Sequence, residues 1–265
     1  MMNIKNICKN FEEDGFVILR NFLKKSEIKT IFFQLNELIN IPLDTINPNF
    51  KNNLTLNEKY LFLQKNKPKL KSHFYDCISY MDSINKISNS KKLTSIAKKL
   101  LKEKAIFLGS HQIRIDHMND PYYLSEHQEL GQMSSKVVLF YMPLVNVNRN
   151  LGGLYVRPKT HKLGFVPYKG SDTEARTYGP GRQKIVDKLF SKPSLCKYKS
   201  GYVKLNAGDA VIFHNYLFHG TFPNLNKNRI RWAYIVRFNS MKKTPYLKNS
   251  NYKLNIPYTA DYSLL

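Results

Sequence analysis

Cysteine is scarce in this chain, and the three present (Cys8, Cys77 and Cys196) are odd in number and far apart. No CxxC pair and no Cys/His zinc spacing occurs, so neither a disulfide framework nor a zinc finger is expected, which fits a reducing compartment. No stretch is long and apolar enough to span a membrane. The N-terminus, MMNIKNICKNFEEDGF, lacks the apolar core of a signal peptide and carries acids early. A soluble, cytoplasmic protein with no membrane partner is expected. Acidic residues are also few: 19 against 42 lysines and arginines, a formal net charge of +23. Such a balance suits a nucleic-acid or membrane-surface binder. It equally suits a Lys- and Asn-rich composition, and the scattered lysines come with no RNP-like, zinc-finger or helix-turn-helix signature. Nucleic acid is therefore the weaker reading, and a positive field that draws in an anionic substrate lies between the two.

What is present is the material of a folded core. Hydrophobic residues make up 42% and aromatics 13% of 265 residues, ample for a sizeable interior. FEEDGFVILRNFL reads as a helix end, a turn at Asp14-Gly15 and a short apolar strand. Ser26 is the expected N-cap of a helix whose apolar residues Ile28, Ile31, Phe32, Leu35 and Leu38 recur at helical spacing. Polar, turn-rich chain follows from Asn47 to Asn57. Helical patterns then run over Glu58 to Lys65, Lys69 to Ile87 and Lys92 to Lys102.

Past Ala105 the period changes. AIFLGSHQIRID, SSKVVLFYMPLVNV, GGLYVRP, YVKLNAG, DAVIFHNY and IRWAYIVRF are short, β-branched, aromatic-rich runs separated by turn signals. Such spacing suggests a sandwich or barrel. No repeat and no low-complexity linker divides the halves. The expectation is α+β: one domain over residues 1–265, with a mainly helical layer over 1–104 and a β core over 105–240.

The chemistry-bearing stretch is LSEHQELGQ. His127 and Glu129 flank one residue, the spacing that puts both on one side of an extended chain. With 7 histidines and 19 acids in 265 residues, about half of one His-x-acid tripeptide is expected by accident. The tripeptide therefore needs a third ligand. His219, just after the strand AVIFHNY, supplies it. Two histidines and one carboxylate on a triangular face favour non-haem Fe(II), with the opposite positions left for a bidentate co-substrate and O₂. A structural histidine and a solvated glutamate remain the duller alternatives for the isolated trio.

The surroundings resemble the phytanoyl-CoA dioxygenase family of Fe(II)/2-oxoglutarate oxygenases, over nearly the whole chain. FEEDGFVILRNFL is similar to the family's opening strand before its first helix. HQEL matches its His-x-Asp metal segment. NRNLGGLYVRPKTHKLG matches a run that reads like N-G-x-L-x-V-x-P-G-S-H-x-x-G, and GDAVIFHNYLFHGTFPN followed by RIRW matches the distal histidine and its trailing arginine. The resemblance implies a double-stranded β-helix (jelly-roll, cupin-like) core. It implies Fe(II) on His127, Glu129 and His219, and 2-oxoglutarate held by Arg231 and Thr221. Arg229 is the alternative arginine. Tyr141 would line the co-substrate, with Gln112 a weaker candidate near it.

The implied activity is a dioxygenase hydroxylating a C–H bond of a small metabolite with release of succinate and CO₂, the positive charge leaning toward an anionic one; its partners are that substrate and O₂. A non-catalytic ligand-binding member of the fold is the alternative, and a basic nucleic-acid binder a further one. Substrate identity and oligomeric state are not encoded legibly. Two departures stand out: Glu129 replaces the usual aspartate, and Lys159 replaces the usual glycine of P-G-S-H. A carboxylate at position 129 argues against the halogenase subclass, which has a small residue there. The basic segment from Tyr168 to Gly201 suits a lid in which Arg176, Tyr178 and Arg182 meet an acidic substrate, or a solvated loop. Arg157 and His161 are pocket-lining at most.

Overall fold

The computed structural model describes residues 3–46, 54–118, 126–129, 136–166, 195 and 197–244. The front of the chain forms α1 (Ile4–Asp14), β1 (Phe16–Leu19), α2 (Lys25–Asp44), α3 (Leu56–Asn66), α4 (Pro68–Ile78), α5 (Asp82–Ser88) and α6 (Lys91–Leu101). Strands follow: β2 (Ile106–Asp116), β3 (Val137–Pro143), β4 (Leu154–Val156), β5 (Gly201–Tyr202), β6 (Ala210–His214), β7 (His219–Thr221) and β8 (Arg231–Ser240). The change of period at Ala105 is thus the boundary between helices and strands. β1 is the exception, pairing antiparallel with β6 although it lies in the helical half.

Gly15 makes that excursion possible. It caps α1 in the left-handed region at φ 84°, where a side chain is disfavoured, and its N–H donates to the Phe11 carbonyl at 3.0 Å.

Two helix ends differ from expectation. Ser26 is not the cap of α2. The helix starts at Lys25, and the Glu27 carboxylate accepts from the Lys24 N–H at 2.6 Å, so a glutamate one turn inside satisfies the N–H of the residue that precedes the helix. The expected run from Lys69 to Ile87 is two helices, α4 and α5. Asn85 Nδ2 donates to the carbonyls of Ser79 (3.1 Å) and Met81 (2.9 Å), and His111 Nε2 lies 3.1 Å from the Ser79 oxygen. The Ser79 carbonyl thus finds its partners outside the helical ladder, so a break there costs little.

The strands form two antiparallel sheets, ordered β1-β6-β3-β8-β2 and β5-β4-β7. Alternation sorts the residues of the larger sheet. One face carries Val138, Phe140, Met142, Ile212, Trp232, Tyr234, Val236 and Phe238, packed with Ile31, Leu35, Ile39 and Leu43 of α2 and with the other helices. Leu35 is fully buried, and truncation to alanine there costs about 2–5 kcal/mol. The opposite face, Val137, Leu139, Tyr141, Val211, Phe213, Ala233 and Ile235, packs on Leu154 and Val156 of the smaller sheet. This is the double-stranded β-helix core with a helical layer on its back, and its interior between the sheets holds the candidate site. No helix among the described residues is long and apolar enough to cross a membrane.

Candidate metal centre and co-substrate pocket

Side chains of His127, Glu129 and His219 converge. One ligand atom from each lies within 4.8 Å of the others, and the rings of His127 and His219 are 4.4 Å apart. The backbone explains the convergence. His127 and His219 form an antiparallel bridge, His127 N–H donating at 2.9 Å and His219 N–H returning at 3.1 Å. Glu129 N–H donates to the Asn215 carbonyl at 2.9 Å. The HQE segment is a single bridge instead of a full strand, yet alternation holds. Gln128 points away and is buried, its Nε2 donating to the carbonyls of Gly164 and Tyr216 at 2.8 Å each and its Oε1 accepting from Val166 N–H at 2.9 Å. Three bonds on the middle residue hold its two neighbours toward the interior. Asn215 extends the frame by accepting from the Val137 N–H of β3 at 3.2 Å.

Protonation favours ligation. The His219 Nδ1 sits 2.9 Å from the Leu217 carbonyl. Only a protonated Nδ1 can donate there, which leaves the Nε2 lone pair for a cation. Burial, with His127 nearby, lowers its pKa to about 3, so the ring is neutral. Burial pushes Glu129 up, but the Arg237 guanidinium and His127 outweigh that and hold the carboxyl well below the usual range.

A second cluster lies further along the same interior. Arg231 is fully buried and its Nε donates to Asp116 Oδ2 at 3.1 Å, with Nη2 on the same oxygen. Asp116 also accepts from Arg114 Nε at 3.0 Å. Burial would raise its pKa, but the two guanidinium groups lower it. Register places Asp116 opposite Arg231, Arg114 opposite Ala233 and Gln112 opposite Ile235, so all three side chains share the inner face. Three atoms near this cluster are buried without a hydrogen-bond partner: Arg231 Nη1, Thr221 Oγ1 and Tyr141 Oη. Gly152, at φ 76°, passes so close that a Cβ there would lie 3.1 Å from Arg231 Nη1. A buried N–H and two hydroxyls left unpaired are costly, and each of the three can donate to an acceptor. A carboxylate satisfies that demand.

Arg229 is exposed and precedes β8, so Arg231 is the arginine that faces the interior. Arg157 is committed to partners in the chain. Its Nε donates to Glu126 at 2.5 Å and its N–H to the Phe218 carbonyl at 2.8 Å, tying β4 to the segment before His127. His161 lies elsewhere, against Glu12 and His214. Lys159 adopts φ 70°, the left-handed conformation glycine takes freely. Arg176, Tyr178 and Arg182 lie outside the described residues.

The sequence reading missed Asp116, Gln128, Asn215, Ser110 and Arg237. Arg237 and Asp116 carried a usable signal. Each shares strand parity with a residue already singled out: Arg231 on β8 and Gln112 on β2.

With the geometry in place, the comparisons with known proteins decide the family. The description "Phytanoyl-CoA dioxygenase (PhyH)" matches residues 11–233. The chain belongs to the phytanoyl-CoA dioxygenase family. A search of curated proteins finds no match. Among solved structures, the fold is similar to the epimerase SnoN in complex with Fe3+, alpha ketoglutarate and nogalamycin RO (TM-score 0.59, 12% identity, 97% of this chain and 96% of that one). EctD from S. alaskensis with bound Fe gives a TM-score of 0.58 at 13% identity, covering 91% and 78%. EvdO2 from Micromonospora carbonacea var. aurantiaca complexed with 2-oxoglutarate gives 0.53 at 14%, covering 90% and 91%. At such identities the likeness speaks for the fold of this family member.

Proposed function

We propose that this protein is an Fe(II)- and 2-oxoglutarate-dependent oxygenase that hydroxylates a C–H bond of a small, anionic metabolite. The observation that carries the reading is the pairing of two sites in one interior. Three ligand atoms of the type non-haem iron takes lie within 4.8 Å of one another. Deeper in, three buried donors lack a partner. The relatives solved with iron and with 2-oxoglutarate support the same assignment.

His127, Glu129 and His219 would hold the metal. Arg231 Nη1, Thr221 Oγ1 and Tyr141 Oη would donate to the distal carboxylate of 2-oxoglutarate, with Gln112 on the same wall. When bound, metal and co-substrate supply O₂ activation and oxidation of a substrate C–H bond, with release of succinate and CO₂. The chain's own residues orient and neutralise. Asp116 pins Arg231 through Nε and Nη2 and so leaves Nη1 as the free edge. Leu139, Val211, Phe213, Ala233 and Ile235 line the same interior with apolar surface, which excludes water and strengthens polar contacts made there.

Charge favours an anionic substrate. Arg114, Arg231 and Arg237 face Asp116 and Glu129 among the described residues of this interior. Three cations against two anions leave one positive charge. A dication and a dianion add none, so a substrate with one negative group neutralises the loaded site.

Anaerobic titration with Fe(II) and 2-oxoglutarate should give a visible charge-transfer band, and a library of anionic metabolites and their neutral amides should reveal members that stimulate succinate formation. Succinate formation surviving in Glu129→Ala, or no band in the unaltered protein, would refute the reading.

A further inference from the structure

The carboxylate of Glu129 reaches the metal position on a side chain with one more rotatable bond than aspartate, so its pose needs to be held. Arg237 of β8 holds it. Its Nε donates to Oε2 at 3.3 Å and its Nη2 to Oε1 at 3.1 Å, a two-pronged contact. The remaining Nη1 donates to Ser110 Oγ at 3.3 Å. The placement of Ser110 depends on an irregularity. Leu108 is opposite Phe238 and His111 opposite Val236, with a register shift between them. Gly109 and Ser110 therefore face the single residue Arg237, a β-bulge that redirects a side chain. A side chain at Gly109 would collide with Asn239, whose Nδ2 lies 2.2 Å from the Cβ position.

We propose that Arg237 is a positioning residue for the metal centre, locking the glutamate into its ligand pose, with the Ser110 bulge as its anchor. This rests on the reading of His127, Glu129 and His219 as a metal site. A guanidinium offers no lone pair and cannot itself be a ligand. Oε1 is the oxygen that faces His127, 3.8 Å from its Nε2. It can turn to the cation while Oε2 stays on Arg237 Nε.

Two physical effects make opposite predictions. A cation beside a dication repels it, so charge alone says that removing Arg237 tightens metal binding. Positioning says that removal loosens it, by the 10–100-fold or so typical when the group orienting a ligand is lost.

The experiment is a Co(II) titration of the purified protein, followed by the visible bands of the bound ion. Arg237→Gln should weaken binding about 10–100-fold and change the bands. Arg237→Lys, which keeps the charge but loses the fork, should recover part of the affinity. In Glu129→Asp the shortened carboxylate withdraws from Arg237, so adding Arg237→Gln should then cost much less than in the Glu129 protein. Ser110→Ala should weaken binding in the same direction and less. Affinity unchanged or tighter in Arg237→Gln, or an equal penalty in both backgrounds, overturns the proposal. If Arg237→Gln fails to fold, Arg237→Lys and Ser110→Ala decide: weakening in either supports it, and wild-type affinity in both overturns it. Failure of the unaltered protein to bind Co(II) would instead remove the metal reading beneath it.

Discussion

Replacing Thr221 by valine should make the free protein more stable and its co-substrate binding weaker. Thr221 Oγ1 is buried with no hydrogen-bond partner, on the strand β7 that begins with His219. A buried hydroxyl without a partner costs about 1–3 kcal/mol. Valine has nearly the same shape and lacks the polar atom, so the ligand-free protein should gain about 1 kcal/mol, at the low end of that range. That corresponds to a rise in Tm of about 2–4 °C for a chain of this size class. A hydrogen bond to a carboxylate contributes about 1.5–3 kcal/mol, so 2-oxoglutarate should bind about 10- to 140-fold more weakly. Thermal melts of metal-free protein give the first number. Calorimetric titration of 2-oxoglutarate into the Co(II)-loaded protein gives the second. Tyr141→Phe removes another unpartnered hydroxyl and should repeat the pattern, whereas Thr221→Ser should not. A Tm that falls in Thr221→Val, or co-substrate affinity equal to that of the unaltered protein, would refute the idea that this hydroxyl waits for an acceptor.

Other expectations follow from the same interior. Asp116→Ala leaves Arg114 and Arg231 facing each other without their shared carboxylate, and urea unfolding should show a loss of about 3–5 kcal/mol. Because the folded-state pKa of Asp116 is depressed, its contribution is complete above the unfolded value near 3.9 and is lost as pH falls through the lower folded value. The acid side of the stability profile should therefore be flatter in Asp116→Asn. Lys159 sits at φ 70°, so Lys159→Gly should raise stability by about 1 kcal/mol or less after the entropy of glycine is counted. Lys159→Val should lower it, and thermal melts distinguish the two. Glu129→Ala should abolish substrate-stimulated succinate formation while leaving the far-ultraviolet circular dichroism unchanged.

The legible features were those whose cause is local. The turn at Asp14-Gly15, the helices of the front half and the strands after Ala105 all follow from patterns a few residues long. Alternation placed His127 and Glu129 on one side and Gln128 on the other, even though that segment is a single bridge. The split between α4 and α5 was not visible, because the Ser79 carbonyl just past α4 is satisfied by the Asn85 side chain and by His111 from a distant strand. Lys159 shows the two kinds of information meeting: its departure from the family's glycine was plain in the sequence, and its left-handed backbone only in the fold.

The sequence by itself determined the ingredients: the ligand-type side chains, the order in which they occur, and the strand parity that turns Arg231 and Arg237 to the same side. Tertiary structure alone decided the partnerships. Arg237 and Glu129 are 108 residues apart in the chain, and Arg231 and Asp116 are separated by 115. Their meeting depends on which strands pair and in what register. A one-residue slip of β2 against β8 would turn Asp116 from the interior to the helical layer and leave Arg231 buried without its counter-charge. Burial then converts neighbours into chemistry, because charges and hydroxyls withdrawn from water must find partners in the fold or in a ligand.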